Sequence, residues 1–272
     1  MKVSDIQAIM LKIFQESDNN LIHLPDEDID IPILEEPVMA IAAADDPMFT
    51  ELKKPEVIGP NWLAPQEWLP SAKSVLVFFF PYSEEIRSRA AASTEYINEA
   101  WKYGYPAGSA LSKEMNMALL KELEAAGMAV NSPIGDPRFV SASVPVMIGD
   151  EEGLHFTPTW STRHAAYIAG LGTFGIHRHL ITEKGCCGAI TTLITDADLP
   201  ATERTYTDLY ENCIHCGICI QRCPAEAISF EYLRNTKKCR DWGGYLRENY
   251  GGGGCGKCMV AVPCEHRNPA GR

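Results

Sequence analysis

Near its C-terminal end the chain reads Cys213-Ile214-His215-Cys216-Gly217-Ile218-Cys219-Ile220-Gln221-Arg222-Cys223-Pro224. Four cysteines stand there at the spacing C-x2-C-x2-C-x3-C, and a proline follows the last of them. This spacing is the ligand pattern of a bacterial [4Fe–4S] site, in which a short loop folds around the cluster. Residues 225–228, which follow the proline, predict a short helix that leads away from the site. In two-cluster proteins the fourth cysteine of such a run ligates the other cluster, so the pattern predicts a second group of cysteines downstream.

The chain has that second group, and the crossover rule divides the eight cysteines into two sets. The first cysteine set is Cys213, Cys216, Cys219 and Cys264, and the second cysteine set is Cys223, Cys239, Cys255 and Cys258. Cys264 departs from the common spacing, because five residues separate it from Cys258 and a proline precedes it. A structural zinc site is the alternative, but zinc does not account for the C-x2-C-x2-C-x3-C-P run.

Four consecutive glycines, residues 251–254, come directly before Cys255. They are not a phosphate-binding loop, because the lysine and the strand that such a loop requires are missing. We expect them to let the backbone approach a cluster and donate N–H groups to its sulfurs.

The net charge of the chain bears on whether it binds nucleic acid. The formal net charge is -12 at pH 7, so the surface repels phosphate backbones and nucleic acid is an unlikely partner. A small basic stretch, Arg234, Lys237, Lys238 and Arg240, is interpreted as a solvated loop beside a cluster.

The ten cysteines also predict a compartment. Residues 1–5 open no continuous apolar segment of the kind that a signal peptide has, and no run is long enough to span a membrane. Eight of the ten cysteines follow residue 210 at metal-ligand spacing, which favours metal binding over disulfides. We therefore expect a cytoplasmic protein that does not contact membranes.

The first 200 residues alternate strand and helix patterns, which predicts an α/β or α+β core. Residues 74–80 are apolar throughout and predict a strand in the centre of its sheet. The other predicted elements are a helix capped by Ser4 with Gln7, an irregular linker over 18–37, a strand over 38–44, a surface excursion over 45–70, helices over 84–102, 109–126 and 161–169 with a break at 103–108, and a strand over 190–195. The predicted domains are 1–200, an α/β core, and 201–272, a module with two [4Fe–4S] clusters.

A pair of clusters needs an electron acceptor, and residues 160–185 are the candidate segment because glycine, histidine, arginine and aromatic residues are dense there. Gly170, Gly172 and Gly175 match the spacing G-x-G-x-x-G, which is typical of dinucleotide-binding folds. We reject a dinucleotide-binding fold, because the motif follows a helix rather than a strand and no helix opens after it.

The chain resembles the epoxyqueuosine reductase and reductive dehalogenase superfamily. The resemblance is carried by Ala-Gly-Leu-Gly at 169–172, by 180–185, by Leu-Ile-Thr-Asp at 193–196 and by the cysteine module. It implies a nitroreductase-like, corrinoid-binding-like core joined to a bacterial-ferredoxin-like module. It implies an iron–sulfur reductase in which electrons from a ferredoxin or flavodoxin type of donor pass through two [4Fe–4S] clusters to cobalamin or another acceptor. A small-molecule substrate or a corrinoid would be the partner in the core.

Two departures from the family concern the residues that handle substrate. Where the reductases have a catalytic aspartate, this chain has His155 and Phe156. Where they have Arg-Asp-Tyr-His at the start of the long helix, it has Ser-Ala-Leu-Ser at 109–112. The chain is therefore interpreted as a divergent relative with an unknown substrate. The alternatives are an electron-transfer or corrinoid-reducing partner without substrate chemistry of its own, and an epoxyqueuosine reductase that acts on tRNA.

Candidate site residues follow from this segment and its surroundings. We nominate His155 and Tyr105 as proton donors, because histidine titrates in the useful range and tyrosine has a transferable proton. The candidate cofactor-binding residues are Arg163, His164, Gly170, Gly172, His177 and Lys184. Cys186 and Cys187 could be a lower cobalt contact or a redox pair, but buried small residues leading into a strand are the favoured interpretation.

Overall fold

A computed structural model describes residues 1–92, 97–252 and 254–271. The helices are α1 Val3–Gln15, α2 Pro47–Glu51, α3 Pro65–Trp68, α4 Glu84–Ala92, α5 Glu99–Ala125, α6 Thr162–Ile168, α7 Ile218–Gln221 and α8 Thr236–Tyr250, with a 3-10 turn at Pro133–Gly135. The strands are β1 Leu21–Leu24, β2 Ile29–Pro32, β3 Val38–Ala43, β4 Ser74–Pro81, β5 Val130–Asn131, β6 Ser143–Ile148, β7 Glu151–Phe156, β8 Gly172–Phe174, β9 Leu180–Thr182, β10 Gly188–Thr195, β11 Ile228–Ser229 and β12 Leu233–Arg234.

The central sheet has four antiparallel strands in the order β3-β4-β10-β5. Every residue of β4 is buried, which confirms that this strand lies in the interior of the sheet. The longest pairing joins β4 to β10 in register from Ser74 opposite Thr195 to Pro81 opposite Gly188. The mixed α/β character of the fold is therefore confirmed. Strand β10 begins at Gly188, directly after Cys186 and Cys187.

Each face of the sheet has its own apolar core, because side chains alternate along β4. Leu76, Phe78 and Phe80 belong to a buried cluster that also holds side chains of α1 and α5. Val75 and Val77 belong to a second cluster on the opposite face, which contains three buried tryptophans and most of α6. Burying each large apolar side chain stabilises the fold by roughly 1.5–3 kcal/mol, so both helical layers are fixed to the sheet.

The tryptophan cluster holds the beginning of the 160–185 segment in place. The rings of Trp62 and Trp160 stack with their centroids 4.9 Å apart. The indole N–H of Trp62 donates to the Phe49 carbonyl oxygen at 2.8 Å, and that of Trp160 donates to Thr192 Oγ1 at 2.9 Å. Residues 161–163, which follow Trp160, are thereby held close to β10.

The N-terminal predictions need two corrections. Helix α1 begins at Val3 and is capped by Lys2, whose backbone N–H donates to Asp5 Oδ2 at 2.7 Å, so Ser4 is not its cap. Residues 18–37 are not irregular, since β1 and β2 form a hairpin within them. The hairpin forms because Leu24 and Ile31 are buried in the core although the surrounding residues are acidic.

The predicted break at 103–108 is wrong, because α5 runs through it from Glu99 to Ala125. The two glycines of this stretch face neighbouring side chains at close range: a Cβ on Gly104 would overlap Ile86, and one on Gly108 would overlap the Tyr82 ring. The Tyr82 hydroxyl also donates to the Tyr105 carbonyl oxygen at 3.0 Å. Close packing against the sheet thus outweighs the weak helix propensity of glycine and proline. The predicted helix over 84–102 includes residues 93–96, which lie outside the described residues.

The C-terminal part differs from the prediction in two places. Residues 225–228 do not form a helix: Glu226 has φ +47°, and Ile228 enters the short β11–β12 hairpin. The basic stretch is not a solvated loop either, because most of it lies on α8, where Lys238 Nζ donates to Glu151 Oε1 of β7 at 2.7 Å. Among the described residues no helix is both long and apolar enough to cross a bilayer.

A pair of glycine-to-alanine substitutions should have opposite effects on stability. We expect Gly244→Ala to raise the melting temperature, because Gly244 lies inside α8 with open space at its Cβ position and alanine favours a helix by about 0.5–1 kcal/mol. We expect Gly108→Ala to lower it, because the overlap with Tyr82 costs about 1–3 kcal/mol and exceeds that gain. Anaerobic thermal denaturation of the metal-loaded variants measures both, and a stabilising Gly108→Ala would contradict the packing described for α5.

Candidate metal centre and adjoining cavity

The four cysteines of the first set line one small cavity together with Ile176, His177 and Val262. Gly217 adopts φ +74° and caps α7, so the chain turns sharply between Cys216 and Cys219. Burial, together with the neighbouring Cys264, Cys213 and Cys216, raises the pKa of Cys219 to about 12. Cys264, whose spacing is unusual, is therefore close to the other three members of its predicted set.

The second cysteine set is brought together by α8 and the loop that follows it. Cys239 lies on α8, and Cys255 and Cys258 lie in the loop. Burial raises the pKa of Cys258 to about 12 with contributions from Cys239, Cys255 and Cys223, although Arg234 opposes the shift. Burial also raises the pKa of Cys255, to which Cys223 and Cys239 contribute. Thiols in such surroundings become thiolates when a metal supplies the compensating positive charge.

The glycines on either side of Cys255, Gly254 and Gly256, lie against aromatic rings of α5, and the expected N–H donation to a cluster stays a prediction. A Cβ on Gly254 would lie 2.8 Å from the Tyr105 ring, and one on Gly256 would overlap Trp101. The Trp101 indole N–H donates to the Gly254 carbonyl oxygen at 3.2 Å. The glycines therefore let the second-set loop dock onto α5, and the expectation about Gly253 lies outside the described residues.

Two donors converge on the sulfur of Cys264. The backbone N–H of His179 donates to His177 Nδ1 at 3.0 Å, so the imidazole proton lies on Nε2, which is 3.4 Å from Cys264 Sγ. The thiol of Cys186 lies 3.8 Å from the same sulfur. Hydrogen bonds from Cys186 and His177 lower the pKa of Cys264 to about 5, although burial opposes them. The structure thus favours a thiolate at Cys264, which is the form that binds iron.

A cavity of about 420 Å³ lies beside both cysteine sets, within the roughly 300–1,000 Å³ typical of small-molecule sites. Helix α5, β10, the 132–139 loop and residues 160–163 form its wall. Cys186 belongs to this wall and touches Cys264, so the cavity reaches the first set through one thiol. The thiols of Cys258 and Cys239 influence the pKa of Arg163, so the cavity also lies near the second set.

Two of the nominated residues, Tyr105 and Arg163, line this cavity. The Arg163 side chain is exposed, yet the surrounding protein atoms, and then Arg234, lower the pKa of its guanidinium, whose Nη2 lies 3.5 Å from Nδ1 of His179. Burial and these two arginines hold the pKa of His179 well below its usual range, so its ring is neutral at pH 7. Tyr105 and Arg163 stay predictions as catalytic and binding residues, but they are placed to contact a ligand.

The other nominated residues lie outside the cavity wall. Of the described residues on β7, Phe156 lies in the wall and His155 does not, and His155 Nε2 is buried without a hydrogen-bond partner. His164 packs on Phe174 with ring centroids 5.2 Å apart, and burial followed by the charge of Arg163 lowers its pKa to about 4. Lys184 is exposed. These assignments also stay predictions.

Gly170 and Gly172 have a packing role in the structure. Gly170 adopts φ +84° beside the Glu203 carbonyl oxygen, and a Cβ on Gly172 would overlap the Ile181 carbonyl. Both glycines allow two backbone segments to approach, which explains their presence without a cofactor.

The sequence predictions missed a polar stripe on α5 that faces the cavity. Ser109, Ser112, Lys113 and Asn116 recur at helical spacing there, and all four line the wall. Asn116 Oδ1 and Thr191 Oγ1 of β10 are buried without a hydrogen-bond partner. The sequence held one sign of this polar stripe, because the polar Asn116 directly follows Met115 of the apolar stripe on the same helix.

Replacing His177 should change the reduction potential of a cluster held by the first set. A hydrogen bond to a ligand sulfur stabilises the more negative, reduced cluster, so we expect His177→Phe to lower its potential. A bond worth about 1.4 kcal/mol corresponds to about 60 mV for one electron. A redox titration followed by electron paramagnetic resonance measures the shift. His164→Phe is the control, since His164 bonds Ser161 rather than a cysteine, and equal potentials in both variants would refute the role of His177.

The cysteine run is similar to a known family of iron–sulfur domains. Residues 206–229 match a family model described as a 4Fe-4S binding domain. An epoxyqueuosine reductase of Cellulophaga algicola is 36% identical over 95 residues, which are 34% of this chain and 30% of that protein. The chain therefore matches less than a third of the length of that relative.

Solved structures share the fold over most of the chain. The epoxyqueuosine reductase of Streptococcus thermophilus superposes with a TM-score of 0.59 and 15% identity, covering 99% of this chain and 68% of that one. The catabolic reductive dehalogenase NpRdhA superposes with a TM-score of 0.57 and 16% identity, covering 85% of this chain and 30% of that one.

A further solved structure bears on the prediction about nucleic acid. It is an epoxyqueuosine reductase with a tRNA stem loop, with a TM-score of 0.52 and 16% identity, covering 84% of this chain and 61% of that one. The exclusion of nucleic acid from net charge is therefore not supported, because a protein of this fold accommodates RNA. The chain thus carries a 4Fe-4S binding motif, matches an epoxyqueuosine reductase over 95 residues, and shares its fold with epoxyqueuosine reductases and a reductive dehalogenase.

Proposed function

We propose that the protein is an iron–sulfur reductase that passes electrons through two [4Fe–4S] clusters to an acceptor in the cavity beside α5. The first cysteine set would hold one cluster and the second set the other. Residues 1–200 would form a nitroreductase-like, corrinoid-binding-like core, and residues 201–272 a bacterial-ferredoxin-like module. A cytoplasmic location remains part of the proposal.

The observation that carries the proposal is the grouping of the eight cysteines. The thiols that act on the pKa of Cys219 include the other three members of its set, and those that act on Cys258 include the other three of the second set. The same division follows from the crossover rule applied to the spacing alone. Both cysteine sets also lie next to the cavity, through Cys186 on one side and Arg163 on the other.

The residues suggest a direction for the electrons. Cys216 is exposed and its neighbour Ile214 is 49% exposed, so an electron donor of ferredoxin or flavodoxin type would reach the first set there. Cys264 of the same set is buried against Cys186, which faces the cavity. We therefore place the donor side at Cys216 and the acceptor side at Cys186 and Arg163.

The acceptor is a corrinoid or another small reducible molecule. When bound, the clusters supply single electrons and a corrinoid supplies a reducible cobalt. The unpartnered Asn116 Oδ1 and Thr191 Oγ1 fit the amide groups at the edge of a corrin ring. The enclosed space of about 420 Å³ would take a small molecule or one part of a corrinoid. Tyr105 is the one nominated proton donor in the cavity wall, so it is the residue we assign to proton delivery.

A second candidate is an electron-transfer or corrinoid-reducing partner without its own substrate chemistry. It is favoured by His155 and Phe156, which stand where the reductases have an aspartate. Adding cob(II)alamin to the reduced protein distinguishes acceptors: formation of cob(I)alamin supports a corrinoid acceptor, and an unchanged corrinoid spectrum excludes it.

A third candidate is an epoxyqueuosine reductase that acts on tRNA, and the identity of 36% over 95 residues favours it. Formation of queuosine from an epoxyqueuosine-containing tRNA stem loop would establish this activity. Failure to shift that RNA at low salt would count against it, because electrostatic affinity is greatest there.

Counting iron tests the assignment of the cysteines. We expect about eight irons in anaerobically reconstituted protein, and about four after either Cys264→Ser or Cys255→Ser, because each variant removes one ligand of one cluster. Cys186→Ser is the matched control and should retain about eight, since its sulfur lies 3.8 Å from Cys264 but belongs to neither set. Iron analysis with the absorbance near 400 nm provides the measurement, and about four irons in the unaltered protein would refute the two-cluster proposal.

A further inference from the structure

The charge of the cavity wall is opposite to that of the chain as a whole. The chain has 36 Asp and Glu residues against 24 Lys and Arg residues. Of the described residues that line the cavity, none is acidic, while Lys113 and Arg163 are cationic. A cavity with this lining attracts anions, even though the rest of the protein repels them.

Neither cation has an acidic partner within the described part of the chain. No carboxylate oxygen there lies within 4.0 Å of Arg163 or Lys113. The contact of Arg163 Nη2 with His179 Nδ1 is long, at 3.5 Å, and Arg234 adds a charge of the same sign nearby. Arg163 is exposed in the cavity wall, so its guanidinium is open to a ligand that supplies the missing negative charge.

A bound cluster supplies only part of that negative charge. The thiols of Cys258 and Cys239 raise the pKa of Arg163, so an anionic cluster in the second set would stabilise its guanidinium. Lys113 lies on α5, is exposed, and makes no ion pair with a described residue. The second set therefore does not account for both cations in the wall.

The rest of the wall defines the body of the ligand. It is largely apolar and aromatic, with Phe79, Phe139, Phe156 and Trp160 among its members. Such rings favour flat apolar groups, which they contact by offset or edge-to-face stacking. Polar groups from α5, among them Ser112 and Asn116, lie on the same helix as Lys113, and further polar groups come from β10 and residues 161–163.

We propose that this cavity binds a small organic anion, whose carboxylate or phosphate group is held by Arg163 and Lys113 and whose flat apolar body packs against the aromatic wall. The planar guanidinium matches both kinds of oxyanion by paired hydrogen bonds. The inference rests on the proposed reductase and deepens it, because it names the chemical class of the molecule that the clusters would reduce.

The experiment is calorimetric titration of the anaerobic, cluster-loaded protein with three probes of one shape: benzoate, phenyl phosphate and benzamide. We expect one of the two anions to bind at least about tenfold more tightly than the neutral benzamide, since a charge-assisted hydrogen bond is lost with the charge. The preferred anion identifies the group as carboxylate or phosphate. Equal affinity for benzamide, or no binding of either anion, would overturn the proposal.

Variants locate the site. Arg163→Gln and Lys113→Gln should each weaken binding of the preferred anion by about tenfold, and Arg163→Lys should restore part of the loss. Lys121→Gln is the matched control, because it removes the same charge from an exposed position on α5 that does not line the cavity. Unchanged affinity in both cavity variants would place the anion elsewhere and overturn the proposal.

The outcome separates this inference from the proposed function. Iron content and dithionite reduction of the clusters are measured on the same samples, so loss of the clusters is recognised independently of anion binding. If hydroxocobalamin binds while benzoate and phenyl phosphate do not, the reductase proposal stands and the small-anion inference fails.

Discussion

The crossing of the two cysteine sets is the constraint on which the C-terminal half depends. Cys223 belongs by sequence to the first run but groups with Cys239, Cys255 and Cys258, while Cys264 returns past the second set to join Cys213, Cys216 and Cys219. Neither set can be completed by a contiguous segment. Metal binding supplies folding free energy where the ligands are far apart in sequence, so two clusters held as we propose would stabilise each other through the chain that connects them.

The crossing also joins the cysteine module to the core. Cys186 N donates to the Cys264 carbonyl oxygen at 2.8 Å, and the apolar cluster around α5 continues into Val260 and Val262. On the other side, Trp101 bonds the loop that carries Cys255. The cavity lies where these two junctions meet, so its shape depends on side chains from both parts of the chain rather than on either alone.

Much of the scaffold could be predicted because its signals are local. An uninterrupted apolar run marks β4, and the cysteine spacing marks both sets. The continuity of α5 could not be predicted, since Gly104, Pro106 and Gly108 oppose a helix locally and only the contacts with Ile86 and Tyr82 explain them. Helix α8 was not predicted, because its positive charges are typical of a solvated loop and the sequence alone does not show their partner on β7. The cationic lining of the cavity was missed for a similar reason: Lys113 and Asn116 face a cavity only because β10 and residues 160–163, which are distant in sequence, close it on the other side.

The docking of Gly254 and Gly256 onto Tyr105 and Trp101 links the proposed metal centre to the cavity. Tyr105 belongs to the cavity wall and stacks on the Trp101 ring, with the centroids 5.3 Å apart. The Trp101 indole N–H donates to the loop that carries Cys255, and Met259 and Val260, which follow in that stretch, are buried in the core beside α5. A metal centre held by this loop would therefore rest on the same pair of aromatic rings that shapes one side of the cavity, so a shift of the loop would change the space open to a ligand.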